Sequence, residues 1–257
     1  MSFKYALQKY IDHPENHEEV LFYDDNVTII KDLFPKSLRH YLVLPRNKQV
    51  SRQHPQEVFN RDYDDFTGQQ LYNQLQNYCE KAKDMIIEDL IKVLNICNDD
   101  IEKIAELKNF IQVGFHTIPS LSNLHIHVIT KDFNSPKMKH KKHYNSFTTS
   151  FFINYKDLNP KPTNNHLDDS QKTEYSDDDN DSQNTDYSTN NNNSQTCSSD
   201  TSLNPENIIK NSRLICTYCS KDFQFKFKNL KTHLQLEFVT KFKRFNVDLN
   251  KLTPNQS

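Results

Sequence analysis

Apolar positions in the first part of the chain switch between two periods. Val20 to Phe22, "NVTIIKD" and "RHYLVLPR" are short β-branched and aromatic runs that predict strands. Pro45 ends the last of them, and "LFPKS" supplies the turn between the second and third. From about Asp64 to Leu94 the period lengthens: Leu71, Leu75, Tyr78, Ala82, Met85, Ile86 and Leu90 recur mostly at steps of three and four. That predicts one long amphipathic helix with Asp64 or Asp65 as N-cap. A second helical patch, Asp100 to Leu107, leads into "FIQVGFHTIPSLSNLHIHVIT", read as strand, loop, strand, with Pro119 closing the first. "NSFTTSFFINY" reads as a further extended stretch. Tight connections favour an antiparallel sheet, so residues 1–157 are predicted to form one α+β domain of about 155 residues, large enough for a single core.

In "NLHIHVIT", Leu124, Ile126 and Val128 share one face of the strand while Asn123, His125 and His127 share the other. The pattern predicts a buried sheet with an exposed polar row. A single histidine there is ordinarily a half-exposed sheet residue. Two at i and i+2, beside an asparagine, mark a site.

Composition adds a break in the chain. Only 35% of residues are hydrophobic and there are 2 glycines, so a long polar segment must dilute the average. It runs from about Asn159 to Glu206, contains "SDDDNDSQNTDYSTNNNNSQTCSSDTS", and predicts a disordered acidic Asn/Ser-rich linker over residues 158–206. The formal charge of -2 hides an asymmetry. Acidic residues such as Asp168, Asp177, Asp178 and Asp179 concentrate in the linker, leaving both flanks basic, with Lys131, Lys137, Lys139, Lys141 and Lys142 on one side and Lys226, Lys228, Lys231, Lys241 and Lys243 on the other. No apolar run approaches the roughly 18 residues of a membrane helix, and the N-terminus lacks a signal-peptide apolar region, so an intracellular protein without a membrane partner is expected. Five scattered cysteines do not form a disulfide framework; Cys79 and Cys97 fall in helical patterns as buried thiols, leaving Cys216 and Cys219 as a close pair.

The polar face collects His116, Ser120, Asn123, His125 and His127, with Lys142 downstream. Metal binding ranks second here, because carboxylates are few and lysines repel cations. A phosphate site fits better. One imidazole attacks phosphorus while Ser120 and basic groups neutralise the non-bridging oxygens. The attacking nitrogen must be unprotonated, a tautomer that a hydrogen bond from the other ring nitrogen to a backbone carbonyl would fix. A second, charged imidazole alongside would stabilise the transition state.

The stretch "GFHTIPSLSNLHIHVITKDFNSPKMKHKKHYNSF", with "VTIIKDLFPKSLRHYLVLPR" upstream, resembles the aprataxin family of the histidine-triad superfamily. The resemblance implies the histidine-triad fold and a His-φ-His-φ-His-φ-φ motif, φ being apolar, whose middle histidine takes up AMP. That nucleophile falls on His125 and the third histidine on His127. The first falls on Asn123, a departure in which an amide replaces the ring and is expected to keep orienting the nucleophile by hydrogen bonding. The resemblance also implies phosphate contacts for Ser120 and Lys142, a place beside the scissile phosphate for His116 as proton donor to the leaving group, and nucleotide-pocket positions for His40 and Lys36.

Further on, Cys216 and Cys219 are followed after thirteen intervening residues by His233, on an apparent helix with Leu230, Leu234 and Phe238. This is the spacing of a ββα zinc finger as far as its third ligand. At the fourth position stands Glu237, one helical turn on. A carboxylate can bind zinc, and the resemblance to fungal aprataxins implies that variant; a degenerate finger without metal is the alternative. Residues 207–257 are thus expected to form a DNA-binding domain with one structural zinc, its lysines meeting phosphates.

Taken together, the resemblance implies a nuclear DNA repair hydrolase, with the cytoplasm as a second compartment. It would remove the 5′-adenylate left by a stalled ligase, releasing AMP through a covalent histidine-AMP intermediate with no metal in the chemistry. Two alternatives remain at this point: a small-nucleotide hydrolase acting on AMP-amidates or dinucleoside polyphosphates, and a non-catalytic nucleic-acid-binding module with a decayed triad.

Overall fold

The computed structural model describes residues 3–160, 204–245 and 252–255. Residues 161–203, which hold most of the predicted linker, lie outside the described residues. The three early apolar runs form β1 (Val20–Tyr23), β2 (Val27–Lys31) and β3 (His40–Pro45), after a short helix α1 (Gln8–Asp12). There follow α2 (Gly68–Leu94), α3 (Ile101–Asn109), β4 (Ile111–His116), β5 (Ile126–Thr130), α4 (Lys141–Thr148) and β6 (Phe152–Asn154). The C-terminal part contributes α5 (Pro205–Asn211), which begins inside the stretch assigned to the linker, and α6 (Phe227–Lys243).

All six strands join one antiparallel sheet in the order β1-β2-β3-β5-β4-β6. α2 lays its apolar stripe across one face, where Leu71, Leu75, Cys79, Ala82, Ile86 and Leu90 meet Val27, Ile29, Tyr41, Val43, Ile126 and Val128. The helix starts at Thr67 rather than at Asp64 or Asp65. The Thr67 hydroxyl accepts from the Gln70 N–H while the Gln70 side chain accepts from the Thr67 N–H, a reciprocal capping box that a lone aspartate upstream cannot match. α2 ends at Asn95 in a left-handed conformation, so Cys97 lies beyond the helix and is exposed, whereas Cys79 is buried as expected.

The second face of the sheet is covered too. At one end Leu7, Tyr10 and Ile11 from α1 and the turn before it pack on Ile30, Leu42 and Leu44. At the other, Tyr144 and Phe147 of α4 join Ile129, Phe133 and Met138. The segment around α4 is helical where the sequence reading made it extended; only Phe152–Asn154 is a strand. Tyr144 and Phe147, three apart, bury on one helical face.

The C-terminal part shares these cores. Leu214, Cys216, Leu230 and Leu234 complete the cluster under α4, while Phe238, Phe242 and Phe245 enter the main core beside Phe110. Glu106 of α3 pairs with Lys241 at 2.6 Å and with Arg244. The apolar stripe of α6, at steps of four, is thereby buried against the sheet domain.

Candidate active site and metal centre

The parity of each strand decides where the histidines point. Tyr41 and Phe115 face α2, so His40 and His116 face the other way, on the side that also receives His127. His127 sits opposite Leu42 on β3 and Gly114 on β4, which places His40 and His116 diagonally on either side of it. Gly114 has no room for a side chain: a Cβ would come within 2.1 Å of the Ile153 carbonyl oxygen and 2.7 Å of the Phe152 ring.

The polar row is buried rather than exposed. His40 is 1% exposed, His127 5%, His125 7% and Asn123 0%. β5 begins only at Ile126, and Asn123 and His125 belong to the turn leading into it. That turn brings the Nδ1 of His125 to 2.7 Å from the carbonyl oxygen of Asn123. A carbonyl only accepts, so Nδ1 carries the proton and Nε2 keeps its lone pair. The orienting group is thus the backbone of Asn123 and not its amide, whose Nδ2 donates to Gln8 Oε1 at 3.0 Å.

A second line of polar groups crosses the site. Asp32 Oδ2 lies 3.2 Å from His40 Nδ1, and His40 Nε2 lies 2.9 Å from His127 Nδ1. The Lys36 N–H also reaches His40 Nδ1, at 3.4 Å, so that nitrogen sits between a backbone donor and the Asp32 carboxylate, and one N–H is shared between the His40 and His127 rings. The Nε2 atoms of His127 and His116 are buried without a partner, with ring centroids 4.5 Å apart. Phe147 closes the cluster, its ring 4.7 Å from that of His116, 5.2 Å from His127 and 5.5 Å from His40.

Burial lowers the pKa of all four imidazoles. It takes His40 to about 4, only partly offset by the Asp32 charge. It holds His116 and His127 well below their usual value, helped by neighbouring imidazoles and Lys36. His125 is also lowered by burial, against the pull of its Asn123 hydrogen bond and the Asp32 charge. The expected charged second imidazole is therefore absent at neutral pH in the protein alone, because burial disfavours the ionised ring.

Of the residues singled out in the sequence, His40, His116, His125 and His127 come together, with Lys36 half-buried and electrostatically coupled to three of them. Ser120 and Lys142 are exposed on the β4–β5 loop and the first turn of α4, and neither touches the rings. The sequence reading missed Asp32, Gln8 and Phe147. Asp32 faces His40 because Lys31 pairs with Tyr41, a register that only the folded sheet supplies. Phe147 was hidden by reading α4 as extended.

The second constellation also assembles. The ligand atoms of Cys216, Cys219, His233 and Glu237 all lie within 4.8 Å of one another. A turn with Ser220 in a left-handed conformation brings the two cysteines together, and the Ser220 N–H donates to the Cys216 carbonyl. His233 Nε2 stands 3.2 Å from Cys219 Sγ and 3.1 Å from Glu237 Oε1. One imidazole N–H cannot serve both partners well, whereas a shared cation can. The spacings approach the roughly 3.3–3.8 Å between donors of a tetrahedral ion with bonds of about 2.0–2.3 Å. The residues fit a structural metal ion.

Comparison with known proteins agrees with this geometry. Residues 4–143 match the family described as "Scavenger mRNA decapping enzyme C-term binding". An aprataxin-like protein of Saccharomyces cerevisiae is 37% identical over 255 residues, covering 94% of this chain and 99% of its own. The crystal structure of the aprataxin ortholog Hnt3 in complex with DNA superposes with a TM-score of 0.65 at 28% identity, over 95% of this chain and 96% of that one. Hnt3 in complex with DNA and guanosine gives a TM-score of 0.65 at 28% identity, over 95% and 97%.

Proposed function

Because the chain belongs to the aprataxin-like proteins of the histidine-triad superfamily, we propose that it is a DNA repair hydrolase that removes AMP from adenylated 5′ ends. The observation that carries this reading is the tautomer of His125, whose Nδ1–H is spent on the Asn123 carbonyl so that Nε2 is an unprotonated nucleophile inside a buried, cation-flanked site. In the first step Nε2 forms a bond to the adenylate phosphorus as the bond to the DNA 5′-phosphate breaks. The negative charge of the bound phosphate favours a protonated His116, which gives its proton to the departing oxygen and recovers one from the attacking water in the second step. In the second step water adds to the same phosphorus, the P–N bond breaks, and AMP leaves.

The other imidazoles respond to the substrate. His127 shares one N–H with His40 through its Nδ1, and its Nε2 is buried without a partner. The negative charge of a bound phosphate favours protonation there, turning His127 into a charged donor to a non-bridging oxygen. Lys36, Lys142 and Ser120 then neutralise or bond the remaining phosphate oxygens. DNA as substrate is supported by the complexes of Hnt3, and with that substrate we propose the nucleus as the compartment of this protein. A zinc ion held by Cys216, Cys219, His233 and Glu237 would supply structural cross-linking of the finger and take no part in the chemistry.

The test is AMP release from a nicked duplex bearing a 5′-adenylate, by wild type and by His125→Ala, with EDTA added. Release by wild type alone is expected. Equal release by both proteins, or none by either while both bind the nick, would remove the hydrolase reading.

A further inference from the structure

Asn255 stands where a rung of the β2–β3 ladder is missing. The two strands are in antiparallel register through Lys31 and Tyr41, so Asp32 and His40 form the next pair. Such a pair should exchange two hydrogen bonds. One exists: the Asp32 N–H donates to the His40 carbonyl at 2.9 Å. The place of the other is taken by a side chain from the far end of the sequence. Asn255 Oδ1 accepts from the His40 N–H at 3.0 Å, and its Nδ2 donates to the Asp32 carbonyl at 2.8 Å and to the His40 carbonyl at 3.1 Å. The amide works as an inserted peptide unit that holds the two strands apart at this point.

The insertion is anchored on both sides. The Asn255 N–H donates to the Leu38 carbonyl at 3.0 Å, with φ at 53°, a left-handed conformation that asparagine tolerates. Two residues earlier, the Thr253 carbonyl accepts from the Arg39 guanidinium at 2.9 Å. Arg39 is 1% exposed and is itself paired with Asp89 of α2. These are specific, part-buried polar contacts, not a loose strand end lying on a surface.

We propose that Asn255 is a positioning residue for the histidine cluster: its amide sets the separation between Asp32 and His40, and through it the line Asp32–His40–His127. This rests on the reading of that cluster as the site of adenylate transfer. Without the amide, the vacant rung either closes by a direct His40 N–H to Asp32 carbonyl bond or admits water. Both shift the Asp32 carboxylate relative to a ring that it meets at 3.2 Å. His40 would then lose its place against the Asp32 carboxylate, and His127 the ring that aims its Nε2. Misplacements of this size in a catalytic group cost about 10²-fold in rate.

The experiment compares wild type with Asn255→Gly, which keeps the left-handed backbone accessible but removes the amide. Two quantities are read in the full chain: kcat and KM for AMP release from the adenylated nick, and the imidazole ¹⁵N shifts of His40 without substrate. The expected result is a fall in kcat of about tenfold to a hundredfold with KM within about twofold. The His40 Nδ1 signal should move away from its wild-type position. A lower melting point with unchanged kcat and unchanged His40 nitrogens would overturn the proposal, because a mere clamp on the tail predicts that pattern. Should wild type release no AMP, the functional reading falls, and the His40 nitrogens alone decide: moved in Asn255→Gly they support the positioning role, unmoved they overturn it.

Discussion

The Nδ1 of His125 donates to the backbone carbonyl of Asn123 across 2.7 Å, and the Asn123 side chain points elsewhere, to Gln8. The two relationships separate what the position needs from what the residue is. A backbone carbonyl survives any substitution that leaves the turn intact, so an asparagine in place of a histidine leaves the nucleophile's tautomer unchanged.

Asn123→Ala is accordingly expected to keep kcat for AMP release within about tenfold of wild type, whereas His125→Ala should lose at least about a thousandfold. Steady-state kinetics on the adenylated nick separates the two. A loss at Asn123→Ala as deep as that at His125→Ala would mean that the amide itself orients the ring.

The four lowered imidazoles make stability depend on pH with a definite sign. Each is neutral when folded and takes up a proton near pH 6.5 when unfolded, so stability is full above that pH and drains as the pH falls towards the folded value. For His40, whose folded pKa is about 4, the loss between pH 6.5 and 4 is on the order of 3 kcal/mol. Urea unfolding at pH 7.5 and pH 5 should show a midpoint markedly lower at pH 5. A pH-independent midpoint across this window would contradict the burial of the cluster.

Metal removal should act on stability before chemistry. The cysteine-bearing turn and α6 share a core with α4, so loosening the ligand set is felt at Tyr144 and Phe147. Elemental analysis is expected to find one zinc per chain, and Cys219→Ser should lower both the zinc content and the melting temperature by several degrees. Wild type that carries no zinc and melts identically with and without chelator would favour a degenerate finger.

Phe242 ties the finger helix to the main core. It is fully buried against Phe110, Phe238 and Phe245. Phe242→Ala should cost about 3–5 kcal/mol, the range for truncating a buried phenylalanine. Because both parts share this core, far-ultraviolet and tyrosine signals should unfold together in wild type. Two separate transitions there would show that the finger folds as its own unit.

Much of this was legible in the sequence. The strands, the long helix and the spacing of Cys216, Cys219, His233 and Glu237 are written in periods and offsets that a few neighbouring residues fix by backbone geometry alone. The pairing of His125 with its own turn is local in the same sense. What the sequence alone left undecided was every relationship between distant segments: Asp32 and Phe147 around the imidazoles, the burial of the polar row, the docking of α6 on α3, and Asn255 inserted beside His40. These depend on how the chain closes on itself. A side chain 215 positions away can take a ladder's missing rung only once both strands are in register and the core beneath them is packed.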